Sequence, residues 1–257
     1  LKTLPAASLN IHYILYFIAL VVLTSCDNTS DPIVPEPGDV KMVEHTAADD
    51  TLAFERGIDA VPESDGIYLA WYSLNDRNIS HYNIYRKAEE GTFFERIKRI
   101  DLETASPGKD TTFVDDNAEA GLALNTYYEY FVTATNTEGK ESSAIDTLRY
   151  MLVNKAELDR PDGESYDPDV DGLPTLFWNF VEIPDLYILR IETSFDQLYY
   201  IGIFQSNYDN NYQTLDLSVV SDFPVFIPGV YKWRIDTIGP DEDHSGAESN
   251  WKVFIIQ

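Results

Sequence analysis

The chain has 257 residues, with 44 acidic against 18 basic side chains, a formal charge of −26 and a pI near 4.2. That length suits one large domain or two of about 100 to 130 residues, and a hydrophobic fraction of 44% with 13% aromatic residues excludes a disordered chain. The scarcity of Lys and Arg excludes a nucleic-acid partner, because the electrostatic attraction to phosphates comes from those side chains.

In chain order, residues 1–25 carry one charge, Lys2, and an apolar run over 13–23. Eleven residues are too few to span a hydrocarbon core, which takes about 20 in a helix, so the run reads as the apolar region of an export signal. It ends at Leu23, Thr24, Ser25 and Cys26, which resembles the lipobox of bacterial lipoproteins: an aliphatic residue, two small ones, then cysteine. The resemblance implies that Cys26 takes a diacylglycerol and that residues 1–25 are removed. It also implies a membrane partner reached through lipid, and a location in the bacterial cell envelope, anchored at the outer membrane. Cys26 is the only cysteine, so no internal disulfide forms. An ordinary signal peptide cut nearby, leaving a free thiol, is the alternative. Residues 26–50 combine prolines with small and acidic residues, and are expected to form an extended acidic tether.

Beyond residue 50 the pattern is short apolar alternations between Gly, Pro, Asn and Asp clusters, the all-β signal. Ile67, Leu69 and Trp71 alternate, as do Tyr82 and Ile84, and then Tyr128, Tyr130, Val132 and Ala134. Each set turns one face to a core and the other to water. The order recurs: Trp71 and Tyr82 correspond to Trp178 and Tyr187, Tyr128 and Tyr130 to Tyr231 and Trp233, and Gly139 with Ser142 to Gly246 with Ser249. The offsets of 103 to 107 residues predict two tandem sandwiches, over 51–153 and 154–257.

At these residues the chain resembles fibronectin type III domains. Leu122, Thr126, Tyr128, Val132, Ala134 and Asn136 match the family's sixth-strand pattern, with Leu124 where proline is usual. The resemblance implies an immunoglobulin-like sandwich, with Tyr128 as the corner tyrosine that bonds back to backbone. The second copy keeps a Pro228, Gly229, Tyr231 corner but has Gly239 where the family has Asn.

No nucleophile elbow, zinc motif, paired cysteines or phosphate loop occurs in the sequence. The acids are so numerous that no single carboxylate pair points to catalysis. Asp167, Asp169 and Asp171 alternate before Gly172, like the first half of a calcium loop, yet the closing position falls on Trp178. Calcium and a plain acidic turn are the two readings there, and no other cofactor is implied. Residues 195–214 concentrate Tyr199, Tyr200, Tyr208 and Tyr212 among Asn, Asp, Gln and Ser, a composition that suits recognition. The alternative is two ordinary strands with a polar hairpin. His45 falls in the tether, His81 before a strand and His244 in an acidic loop. Three functions remain: a non-enzymatic interaction or assembly module with a protein partner, a surface glycan binder using the four tyrosines, or an enzyme with a shallow carboxylate site. The halves are unequally acidic, −8 over 51–153 and −13 over 154–257, so the second half is expected to be the recognition end, for a neutral or cationic ligand.

Overall fold

The computed structural model describes residues 33–45, 57–102, 111–116, 121–241 and 245–257. Cys26, the apolar run before it and His244 lie outside the described residues. The chain divides into a unit of residues 1–35 and a unit of residues 36–257; the strands all belong to the latter. Among the described residues no helix is long and apolar enough to cross a membrane.

The first half contributes β1 (Asp59–Ala60), β2 (Ile67–Ala70), β3 (Ile79–Ala88), β4 (Glu95–Asp101), β5 (Thr112–Asp115), β6 (Tyr127–Asn136) and β7 (Leu148–Leu152). Strands β1-β2-β5 form one sheet, and β4-β3-β6-β7 lie side by side in the other. Alternation explains the pairing of faces: Ile67, Leu69 and Trp71 from the first sheet and Tyr82, Ile84, Tyr130, Val132 and Ala134 from the second share one buried cluster. Arg86 continues the inward face of β3 and therefore needs a counter-charge. Its Nη1 donates to both oxygens of Asp115, at 3.0 and 2.8 Å, and the Tyr130 hydroxyl donates to the same carboxylate at 2.9 Å.

The second half contributes β8 (Glu157–Arg160), β9 (Glu164–Tyr166), β10 (Thr175–Asn179), β11 (Leu186–Thr193), β12 (Leu198–Gln205), β13 (Tyr212–Asp216), β14 (Gly229–Ile238), β15 (Ser245–Glu248) and β16 (Lys252–Ile256). Here β13-β10-β8 faces β12-β11-β14. Strand β14 pairs with β16 over Gly229 to Trp233 and with β15 over Asp236 to Ile238, and β9 adds to β16 in parallel. Trp178, Leu189, Ile191, Trp233 and Ile235 are fully buried in a second, separate cluster. The protein is thus all-β, two immunoglobulin-like sandwiches in tandem.

The repeat holds at the level of single hydrogen bonds. Trp71 and Trp178 are 2% and 0% exposed, Trp71 just past the end of the central strand of its three-stranded sheet and Trp178 within the last two residues of its own. Their rings meet Tyr82 and Tyr187 edge-on at 5.6 and 5.1 Å. The Tyr128 hydroxyl accepts from the Ala123 N–H at 3.0 Å, and that of Tyr231 donates to the Ile227 carbonyl at 2.9 Å, so both corners close. Ser142 Oγ accepts from the Ala134 N–H at 3.1 Å, and Ser249 Oγ from the Ile235 N–H at 3.0 Å. One correspondence shifts. With Tyr128 matched to Tyr231, Ala134 matches Thr237, and Tyr82 and Tyr187 lie opposite that matched pair, so the strand pairing is kept. The serine bond moves instead, from Ala134 to Ile235, which is the match of Val132; two residues are one strand period, so the bonded N–H stays on the same edge of the strand.

Two expectations change. The tether does not run to residue 50, because Val40 and Met42, 1% and 3% exposed, pack in the first core. The N–H groups of Val43 and Tyr72 donate to Ala70 and Lys41 carbonyls, both at 2.9 Å, so this segment pairs beside Trp71. The prolines and acids around it hid a two-residue apolar alternation. The second change is larger: the halves share a sheet. Strand β15 pairs in parallel with β7 through Ser245 opposite Met151 and Gly246 opposite Leu152, which joins four strands of the first half and six of the second into one ten-stranded sheet.

Candidate functional site at the joint between the sandwiches

The joint is made by residues that the strand pattern leaves at the ends of the two cores. Met151, Val153, Ala247 and the half-buried Tyr127 form a small apolar cluster of their own. The Val153 N–H donates to the Gly246 carbonyl at 3.2 Å. Gly246 is required by close approach, since a Cβ there would lie 2.9 Å from Tyr150 Oη and 3.2 Å from the Thr237 carbonyl oxygen.

Polar groups fasten the same contact from both sides. The Tyr127 hydroxyl donates to Asp241, and Arg149 sits 3.6 Å from that carboxylate and 4.7 Å over the Tyr127 ring. Burial, followed by the bond to Asp241, pushes the Tyr127 hydroxyl up to about 12. Within the first half, the Tyr150 hydroxyl that lies against Gly246 is held by donating to Asp59 at 3.0 Å. On the other flank Lys155 Nζ donates to the carbonyls of Val61, Pro62 and Ser64 at 3.0, 3.0 and 2.7 Å, with Asp65 at 3.5 Å. Burial holds the Lys155 ammonium below the usual lysine range, against the opposing pull of Asp65. Donors with three carbonyl partners and ion pairs across a seam resist hinge motion more than a bare linker does.

Beside this seam opens a cleft of about 590 Å³, within the range of small-ligand sites. The first half supplies Asn125, Met151 and Val153; the second supplies Asn154 and residues 182–186 and 237–240. Asn154 Nδ2 reaches Glu182 Oε2 across the mouth at 3.3 Å.

The residues singled out from sequence are not assembled here. Tyr199 stacks on Phe226 at 4.9 Å and Tyr200 packs on Phe223 at 4.6 Å, both against the second core. Neighbours on a strand face opposite ways, but a bulge pairs Ile191 with Tyr200 and Glu192 with Leu198, leaving Tyr199 as the extra residue and turning both rings inward. Tyr208 is exposed in the hairpin after β12, its hydroxyl donating to Asp185, while Tyr212 bonds Asp159 Oδ2 at 2.9 Å on the opposite sheet. The four rings form no common platform.

Asp167 and Asp171 spend carboxylate oxygens on their own turn: Asp167 Oδ1 accepts from the Asp169 N–H at 3.0 Å and Asp171 Oδ2 from the Asp167 N–H at 2.9 Å. Among the described residues no group of three or more His, Cys, Asp or Glu side chains is placed to hold a metal. His45 is packed rather than tethered, its Nδ1 2.7 Å from the Ile58 carbonyl. His81 is buried on β3, and burial, with Arg99 next, holds its imidazole below the usual range.

Sequence reasoning missed the joint and the cleft. In the sequence Gly246 stands out only as the counterpart of Gly139, although its structural use is contact with the other half.

No family model matches the sequence, and no curated protein matches it. Solved structures similar to the chain include the twitchin kinase region of C. elegans (15% identity over 49% of this chain and 18% of that one, TM-score 0.30). Domains FN1 to FN3 of chicken CNTN1 are similar at 14% identity over 86% of this chain and 67% of that one, TM-score 0.30. Pectate lyase PelI from Erwinia chrysanthemi, in complex with tetragalacturonic acid, is similar at 16% identity over 42% of this chain and 38% of that one, TM-score 0.27. The chain spans less than two thirds of the twitchin and pectate lyase chains.

Proposed function

We propose that the protein is a lipid-anchored bacterial cell-envelope protein that acts without catalysis, as an interaction or assembly module holding a protein partner at the outer membrane. The observation that carries this reading is the fastened joint: a shared sheet and a bonded seam keep two sandwiches as one body, with a cleft already open between them. A preformed site on a rigid body loses less freedom on binding than one assembled by a hinge. Anchorage is supported by the Leu23 to Cys26 motif alone, and two acyl chains are what stable anchoring requires.

The test is metabolic labelling with a clickable palmitate analogue, followed by mild crosslinking in the native cell. The wild type is expected to be labelled, membrane-bound and crosslinked into one defined species. Cys26→Ser is expected to lose label and membrane, and Asn154→Trp, which fills the cleft mouth, to lose the species while staying anchored. An unlabelled wild type contradicts the anchor. A crosslinked species that is indifferent to Asn154→Trp contradicts the cleft as the contact.

A further inference from the structure

We propose that the cleft binds an alkylammonium or guanidinium group carried on an apolar stem, a ligand chemistry that rests on the cleft being the contact site. Three independent features of the walls point to it. Apolar side chains line the cleft from both halves, Met151 and Val153 of the first and Ile183, Leu186 and Ile238 of the second. Such walls take a hydrocarbon body and are too narrow a set to satisfy a purely polar ligand.

The charges at the mouth are of one sign. Glu182 and Asp185 are both exposed on the loop before β11, and no lining residue is basic. Lys155, the nearest cation in sequence to the lining Asn154, is committed to three carbonyls of the first half. Within a chain of formal charge −26 the cleft focuses a negative potential that draws cations in and repels anions.

The third feature is the polar lining. Asn125 and Asn154 line the cleft, and the amide oxygen that each side chain carries can accept from a cationic N–H. The ligand class is therefore cationic at one end and apolar along its length, as in a free alkylamine or in a lysine or arginine side chain of a protein.

The experiment uses the full chain with Cys26→Ser and three probes of equal length: hexylammonium, hexanol and hexanoate. Binding is followed by methyl NMR at Met151, Val153 and Ile238 and by calorimetry. Hexylammonium is expected to bind saturably, at least about tenfold more tightly than hexanol, with hexanoate weakest and the preference shrinking as salt rises. Glu182→Gln with Asp185→Asn is expected to remove that preference without moving the hexanol affinity. A capped tripeptide with a central lysine separates the two sources: tighter than hexylammonium means a protein side chain, weaker means a free amine. Hexanol or hexanoate binding as tightly as hexylammonium, or no saturable shift at those methyls, overturns the proposal. If it fails while the crosslinked species still depends on Asn154, the ligand chemistry is wrong and the cleft remains the contact; if that dependence is absent as well, the cleft itself is wrong.

Discussion

The two sandwiches solve one problem differently on the outer face of the shared sheet. Glu141 and Glu248 hold equivalent places, one residue before the bonded Ser142 and Ser249, opposite Thr135 and Asp236. In the first sandwich Glu141 Oε1 accepts from neutral groups only: Asn83 Nδ2 at 3.0 Å, the Tyr85 hydroxyl at 2.9 Å and the Thr133 hydroxyl. In the second, Arg234 stands where Thr133 does and bonds Glu248, while Arg190 bonds Glu192 at 2.9 Å. Trp251 covers this lattice, 4.3 Å from Lys232 and 4.9 Å from Arg234, where the first copy has Ala144. The consequence is burial: Glu141 stays exposed and Glu248 does not. A repeat copies backbone and core, while the outward face is free to change its chemistry, and a sealed ion lattice makes each of its members harder to remove.

The cores should respond alike. Trp71→Ala and Trp178→Ala are each expected to cost about 3 to 5 kcal/mol in urea unfolding, by lost burial and cavity formation. A cost below about 1 kcal/mol for either one would break the equivalence of the two sandwiches.

The outer faces should respond unequally. Arg234→Met removes the cation that bonds Asp236 and Glu248 in a buried site, which is expected to cost about 3 to 5 kcal/mol. Thr133→Val removes one of three neutral donors from an exposed carboxylate and is expected to cost about 1 kcal/mol. Equal losses in denaturant titrations would show that the Arg lattice is no more than a surface network.

The corners return to likeness at smaller scale. Tyr128→Phe deletes one hydroxyl bond to backbone, and Tyr231→Phe deletes the bond to the Ile227 carbonyl together with a long one from the Ile227 N–H at 3.4 Å; each should lower stability by about 1 kcal/mol, seen as a matched fall in urea midpoint. Mismatched falls would mean that only one sandwich depends on its corner.

Acid should act on both faces through the same linkage. Burial alone would raise Glu141 and Glu192. Bonds from Thr133, Tyr85 and Asn83 hold the first below its ordinary 4.5, and Arg190 and Lys232 hold the second below it. A lowered folded value means stability that is complete above about pH 4.5 and lost as pH falls through the folded value. Glu141→Gln should flatten a small part of that loss, solvent screening keeping its share modest. An unchanged acid profile in Glu141→Gln would show that its three bonds carry no net preference for the ionised form.

These contrasts also mark what the sequence made legible. Trp71, Trp178, both corner tyrosines and both bonded serines were readable, because core faces obey a two-residue period and corners need a fixed residue type. Tyr199 was not, since a bulge breaks that period and nothing in the local composition announces it. The joint was not legible either: two residues of parallel pairing between β7 and β15 carry no periodic signal, and Gly246 reads the same whether it serves a turn or a close approach. The buried Val40 and Met42 were masked by the prolines and acids around them.

The rigid joint is the central claim, and a pulsed dipolar distance tests it most directly. In the full chain with Cys26→Ser, spin labels go at Glu90 of the first sandwich and Asn210 of the second, both exposed turn or loop positions. The predicted result is one narrow distance distribution that broadens when Gly246→Val forces β15 away from Tyr150. A broad distribution in the otherwise unaltered chain, unchanged by Gly246→Val, would contradict it and leave two sandwiches on a hinge.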